Sequence, residues 1–314
     1  MAEKDAKTAS VNTMSLSDAW QRYLANCRAK GLRPKTIQEN YQFAVERVFF
    51  PWAAKNGIER IDQLDSFTLD RFSGDLQANG GIRGPLTRTS SGSYVRVVNR
   101  FTKWAAGSHA QGAAPPDLGN KLRSEDLLTR AEIQRMEDAA QTERDKLIVR
   151  ILGDTGIRVG ELLSIEGRSA TRRGGADFLR VYGKPNRRNP SGEREISITR
   201  ELSVRVHKFA KDEAAPLFNA RFRGTKSKQY EPLGKTGVEQ MVRWLAREAG
   251  VSKRVYPHLF RHSFATFMWK KTGDPIKVMR WLGHTSLTML ERRYGHLIPE
   301  DTHQDMLDAL KKGD

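Results

Sequence analysis

The chain has 314 residues, with 54 Lys and Arg against 37 Asp and Glu, a formal net charge of +17. With 38% hydrophobic residues it can fill two cores of ordinary size, and the basic excess points to a polyanionic partner, nucleic acid first. The lone cysteine, Cys27, excludes an internal disulfide and a cysteine-rich zinc site, and no apolar stretch reaches the length of a membrane span.

Residues 1–13 are polar, lack the apolar core of a signal peptide and read as a disordered tail, so a cytoplasmic protein with no membrane partner is expected. Leu16, Trp20, Tyr23, Leu24 and Cys27 then recur at helical spacing until Gly31. Pro34 opens a second helix whose inner face holds Ile37, Tyr41, Val45, Val48 and Phe49, ending before Gly57. Ser66 is the expected cap of a third helix. A loop rich in Gly, Ser and Thr runs from Asn79 to Ser93, and a fourth helix follows with Tyr94, Val97, Val98, Phe101 and Trp104 inward. Residues 14–108 thus form a helical unit carrying 14 Lys and Arg against 8 Asp and Glu.

Arg96, Arg100 and Lys103 fall at i, i+4 and i+7 without acidic partners one turn away. With the nearby Lys30, Arg33 and Lys35, and Arg83 and Arg88 in the loop, they read as a surface that grips phosphates. The inward aromatics read as core, and Cys27 as a small buried apolar residue. Residues 109–126, with adjacent prolines and scattered glycines, read as a linker.

Residues 127–299 form the second unit. Thr129 and Glu132 make a capping box, so a helix starts at Arg130, and Glu143 to Gly153 forms the next. Arg158 then sits between Gly156 and Gly160 near a helix start, against the dipole preference unless an anion binds there. Asp177 to Thr199 reads as a β-hairpin whose end carries Lys184, Arg187, Arg188 and Arg194, either a solvated tip or one that enters a nucleic-acid groove. Helices follow over Glu201 to Ala210 and Lys235 to Ala249. Phe260 to Lys271 is another, with His258 just before it and Arg261 in its first turn. Asp274 and Pro275 start a helix that Gly283 closes, leaving His284 on a turn, and a last helix carries Tyr294. Residues 300–314 form a tail with a short amphipathic helix over Glu300 to Leu310.

Read singly, these residues have plain structural explanations. As an ordered set they resemble the tyrosine recombinases, the phage integrase and Xer-type site-specific recombinases. The matching stretches are T-G-I-R-V-G-E-L at 155–162, G-K at 183–184, H-L-F-R-H-S-F-A-T at 258–266, L-G-H-T-S at 282–286 and R-Y-G-H at 293–296. The step from His284 to Tyr294 is 10 residues, where many members of the family have one fewer. The resemblance covers the second unit closely and the first in layout only. It implies a mainly α fold with a small β-sheet or hairpin: an N-terminal four-helix core-binding domain and a C-terminal α+β catalytic domain. A further N-terminal arm-binding domain is not expected.

The resemblance also implies the chemistry. Tyr294 attacks a DNA phosphodiester and forms a 3′-phosphotyrosine, while Arg158 and Arg261 hold the non-bridging oxygens. His258 and His284 supply hydrogen bonds and handle protons, and Lys184 protonates the leaving 5′-oxygen. No cofactor, metal or ATP is implied. The expected partners are double-stranded DNA with inverted-repeat core sites, three further copies of this chain in a homo-tetramer on two duplexes, and accessory DNA-bending or directionality proteins. The tail at 300–314 is the expected docking segment between protomers, and a phage or other mobile element is the expected setting. Two readings compete: a type IB topoisomerase-like DNA-relaxing enzyme and a non-catalytic DNA-binding protein.

Overall fold

Helix α1, Leu16–Ala29, winds as its apolar spacing dictates, and the Ser15 hydroxyl caps it by accepting the Asp18 N–H at 3.0 Å. In this computed structural model the described residues are 14–80, 84, 86–110, 112, 123–185, 189–220, 232–283 and 287–297. The 1–13 tail, Arg83, Arg187, Arg188, His284 and the 300–314 segment lie outside them. The chain divides into two compact units, Met1–Lys121 and Leu122–Asp314.

In the first unit, α2 is a continuous helical run made of Pro34–Thr36, Ile37–Phe49 and Phe50–Lys55. Its middle is wound as a π-helix, so the Phe50 N–H reaches Val45 O, five residues back. Helix α3, Ser66–Ala78, is capped one residue earlier than expected: Asp65 Oδ1, not Ser66, accepts the Thr68 N–H at 2.7 Å. A carboxylate there also suits the positive helix end. Helix α4, Arg88–Ala106, starts inside the stretch expected to be loop, because Thr87 caps it through the Ser90 N–H. Arg88 is therefore a helical residue. Trp20 meets Phe101 edge-on at 5.2 Å, as Phe49 meets Phe72, and the Trp20 Nε1–H donates to Glu46 Oε1 at 2.8 Å. Trp104, expected inward, is 41% exposed and leans on Tyr23. Cys27 is buried.

In the second unit, α5, Arg130–Ala139, opens with the expected Thr129–Glu132 capping box. Helix α6, Glu143–Thr155, ends on Gly156 at φ +59°, and the short helix α7, Val159–Leu162, follows at once. The sheet has three antiparallel strands in the order β1 (Ala170–Arg173), β2 (Ala176–Tyr182), β3 (Glu193–Ile198). The strand beyond the expected hairpin, β1, turns into β2 through Gly174 and Gly175, both at positive φ, as a two-residue hairpin turn requires. Then come α8 (Arg200–Phe209), α9 (Lys235–Glu248), α10 (Pro257–Thr272), α11 (Pro275–Leu282) and α12 (Leu287–Tyr294). Helix α6 packs against α5, α8 and α10, and its buried Leu147, Ile148, Ile151 and Leu152 join Leu179, Val181, Phe260 and Ala265 in one core. Each of the larger side chains contributes roughly 1.5–3 kcal/mol by leaving water. Among the described residues no helix is long and apolar enough to cross a membrane.

Candidate active site

Arg158 is the N-cap residue of α7, in extended backbone, and Glu161 one turn later folds back on it. The Arg158 N–H donates to Glu161 Oε2 at 2.8 Å, and its guanidinium reaches Oε1 at 3.1 Å. Across the site Arg194, near the start of β3, donates to the same carboxylate from Nε at 3.1 Å and Nη2 at 3.0 Å. Its Nη1 donates to Trp281 O at 2.7 Å, at the end of α11. Burial would raise the Glu161 carboxyl, but Arg194 and then Arg158 outweigh it and hold it below the ordinary Glu value. The sequence offered Arg194 as part of a basic hairpin tip, solvated or entering a groove. It is instead withdrawn into this ion pair, and Glu161 joins Arg158 to the hairpin through Arg194.

Arg261 lies in the second turn of α10, because the helix starts at Pro257, three residues before the expected start. It is 4% exposed and donates from Nη1 to Gly156 O at 2.8 Å and from Nη2 to Leu282 O at 2.6 Å. Those carbonyls belong to the ends of α6 and α11, so one guanidinium joins three helices with two of its five N–H donors. Burial, with Arg158 beside it, pushes Arg261 down to about 9, against the pull of Glu161 and Tyr294. At neutral pH it remains a cation.

Tyr294, the last residue of α12, is 1% exposed. Its phenolic oxygen lies 2.7 Å from His262 Nδ1. His262 is itself buried and stands edge-on to His258 at 6.4 Å between ring centroids. The sequence reading gave His262 no role. The signal was its place directly after Arg261, which turns it about 100° around the helix from that arginine.

His258 is exposed and sits inside the first turn of α10 rather than ahead of the helix. With Arg158, Glu161, Gly183 and Lys184 it lines an open cavity of about 630 Å³. Lys184 is exposed just beyond the end of β2. Lys235, the first residue of α9, also faces this cavity and was missed, since nothing in its local sequence sets it apart. Around one buried carboxylate the fold gathers Arg158, Arg194 and Arg261, with two lysines at the rim. That arrangement favours an anion. Among the described residues no group of three His, Cys, Asp or Glu is placed to hold a metal.

Of the residues read as phosphate contacts, Arg33, Lys35, Arg100 and Lys103 are exposed and Arg96 is half-buried. Lys35 pairs with Glu39 at 3.5 Å. Arg96 donates to Ser93 Oγ at 3.2 Å, and Arg100 donates to the Tyr41 hydroxyl at 3.1 Å.

The sequence profile of the Phage integrase family matches residues 126–300. The tyrosine recombinase XerD of Corynebacterium glutamicum is 26% identical over 306 residues, covering 92% of this chain and 95% of that protein. Among solved structures, the Tn1549 transposon integrase in complex with transposon right end DNA superposes with a TM-score of 0.67 at 17% identity, over 95% of this chain and all of that one. A lambda integrase tetramer bound to a Holliday junction superposes with a TM-score of 0.60, also at 17% identity, over 90% of this chain and 77% of that one.

Proposed function

Because this chain belongs to the phage integrase family, the tyrosine recombinases, we propose that it is a site-specific recombinase that cuts and rejoins DNA through a 3′-phosphotyrosine on Tyr294. The observation that carries the reading is the gathering of Arg158 and Arg261 around one buried carboxylate, within electrostatic reach of the Tyr294 phenol. A phenol with an ordinary pKa near ~10 attacks phosphorus slowly at neutral pH, and neighbouring guanidinium charge favours its phenolate. The same two arginines stabilise charge that builds on the non-bridging oxygens in the pentacoordinate state. Lys184 at the cavity rim protonates the leaving 5′-oxygen, and His258 and His284 hydrogen-bond the phosphate. Two arginines do here what divalent ions do in metal-dependent nucleases, so the reading requires neither metal nor ATP.

The substrate in this reading is duplex DNA with inverted-repeat core sites. Exchange needs two cuts on each of two duplexes, hence four protomers, with residues 300–314 docking between them. Integration or excision of a phage or other mobile element, helped by DNA-bending or directionality proteins, is the setting we favour. The test is a core site selected from random-sequence duplexes and nicked beside the scissile phosphate. Wild type leaves a covalent DNA adduct on a denaturing gel, and Tyr294→Phe leaves none. An adduct from Tyr294→Phe would overturn the nucleophile. Relaxation of plasmids that lack the core site would favour a type IB topoisomerase instead.

A further inference from the structure

Tyr294 is 1% exposed and its ring belongs to the apolar core of the second unit. A phenol in that position cannot pass its proton to bulk water, yet attack on phosphorus requires the proton to leave. The imidazole of His262 is in reach, with Nδ1 at 2.7 Å from the phenolic oxygen, a distance suited to direct transfer. We propose that His262 is a catalytic residue of this chain, the base that takes the Tyr294 proton. This rests on Tyr294 being the nucleophile.

Helix α10 then serves two atoms of the reaction through adjacent residues, Arg261 the phosphate oxygens and His262 the phenol. With its ring proton on Nε2, His262 offers Nδ1 as the acceptor. The phenolic proton moves to Nδ1 as the bond from the Tyr294 oxygen to phosphorus forms. The bond from phosphorus to the 5′-oxygen breaks, and that oxygen takes a proton from Lys184. One proton enters the imidazole as one leaves the ammonium, so the site's net proton count is unchanged. In rejoining, the 5′-hydroxyl attacks, its proton returns to Lys184, and the imidazolium gives its own back to the departing phenolic oxygen.

The charges around this pair set its direction. His258 stands on the same helix at 6.4 Å, Arg261 is the preceding residue, and Arg158, Glu161 and Arg194 reach the site from α7 and β3. The cations favour the phenolate and oppose the imidazolium, and Glu161 does the reverse.

The experiment measures adduct formation on a core site carrying a 5′-bridging phosphorothiolate at the scissile position. Its sulfur leaves without a proton, so the rate reports the nucleophile side alone. Wild type is expected to speed up with pH as the imidazole loses its proton and then level. His262→Ala is expected to be about 100-fold slower at neutral pH, and to keep gaining with pH toward the phenol range near ~10. His262→Asn keeps a hydrogen-bonding group near Nδ1 and cannot take up the proton, so it follows the alanine profile with the packing largely retained. It decides the matter if the alanine variant does not fold, with duplex binding and the thermal midpoint as controls. Either variant matching or exceeding wild type at neutral pH overturns the proposal. So does a slow rate that runs parallel to wild type at every pH, which is the signature of a structural role. An adduct from Tyr294→Phe overturns the nucleophile instead, so the two failures are distinct.

Discussion

Arg194 and Glu161 meet in a two-point fork, Nε to Oε1 at 3.1 Å and Nη2 to Oε2 at 3.0 Å, with side chains only 16% and 2% exposed. The pair ties the hairpin that carries Lys184 to the helix that carries Arg158, and the third Arg194 donor ties both to Trp281 at the end of α11. Removing one partner of a buried ion pair costs about 3–5 kcal/mol where the other charge is left uncompensated, and without Arg194 the Glu161 carboxylate keeps its contacts to Arg158, so the upper part of that range is not reached. Arg194→Ala should therefore be strongly destabilised in urea unfolding. Arg194→Lys keeps a charge without the planar fork and should fall between it and wild type. Equal unfolding midpoints for alanine variant and wild type would refute this.

The same carboxylate sets a pH dependence. Glu161 titrates below its ordinary value of 4.5 in the fold. Its ion pairs therefore stabilise fully above that ordinary value, and the contribution disappears as the pH falls through the lowered one. Glu161→Gln should be less stable than wild type at neutral pH, and the gap should narrow on acidification as the wild-type carboxyl takes its proton. Thermal midpoints of the two proteins across the acid range test this. A gap that stays constant or widens toward low pH would contradict it.

Gly156 carries two demands. Its φ of +59° belongs to the left-handed region, and a Cβ built on it would lie 2.6 Å from Phe264 Cδ1. Its carbonyl is also one of the two anchors of Arg261. Gly156→Ala adds backbone strain of about 1 kcal/mol to overpacking of about 1–3 kcal/mol against the buried Phe264 ring. Both unfolding stability and the rate of adduct formation should drop. By contrast Gly174→Ala, which meets nothing within 4 Å, should show the backbone strain alone.

These examples show where the sequence was legible. Capping chemistry is local, so Thr129 with Glu132 and Asp274 with Pro275 placed their helices to the residue. Periodicity is nearly as local, and it located most of the described helices, although α4 begins at Arg88, inside the expected loop. What escaped was long-range or decided by competition. Asp65 displaced Ser66 as a cap because a carboxylate is the stronger partner for the helix end. Arg194 read as one of four basic residues at a hairpin tip, and only the fold supplies Glu161, 33 positions away in sequence. His262 directly follows Arg261, and its partner Tyr294 is 32 positions further on. Trp104 fits an inward pattern, but at the end of α4 the core beneath it is already filled by Tyr23 and Phe101.

The basic face of α4 carries the last prediction. Arg96, Arg100 and Lys103 lie at i, i+4 and i+7, with Lys103 exposed and Arg96 donating to a serine hydroxyl. If they neutralise phosphates, each contact contributes about −0.9 to the slope of log affinity against log salt. Lys103→Ala should reduce the magnitude of that slope by about 0.9, and the double variant Arg96→Ala, Lys103→Ala by about 1.8. The loss should be uniform across DNA sequences, because phosphates carry no base information. Arg100 is the less clean probe, since it also donates to the Tyr41 hydroxyl and its loss disturbs a buried ring. Fluorescence anisotropy on cognate and scrambled duplexes over a salt series distinguishes the outcomes. An unchanged slope would remove these residues from the DNA interface, and a loss confined to the cognate duplex would make them readers of bases instead.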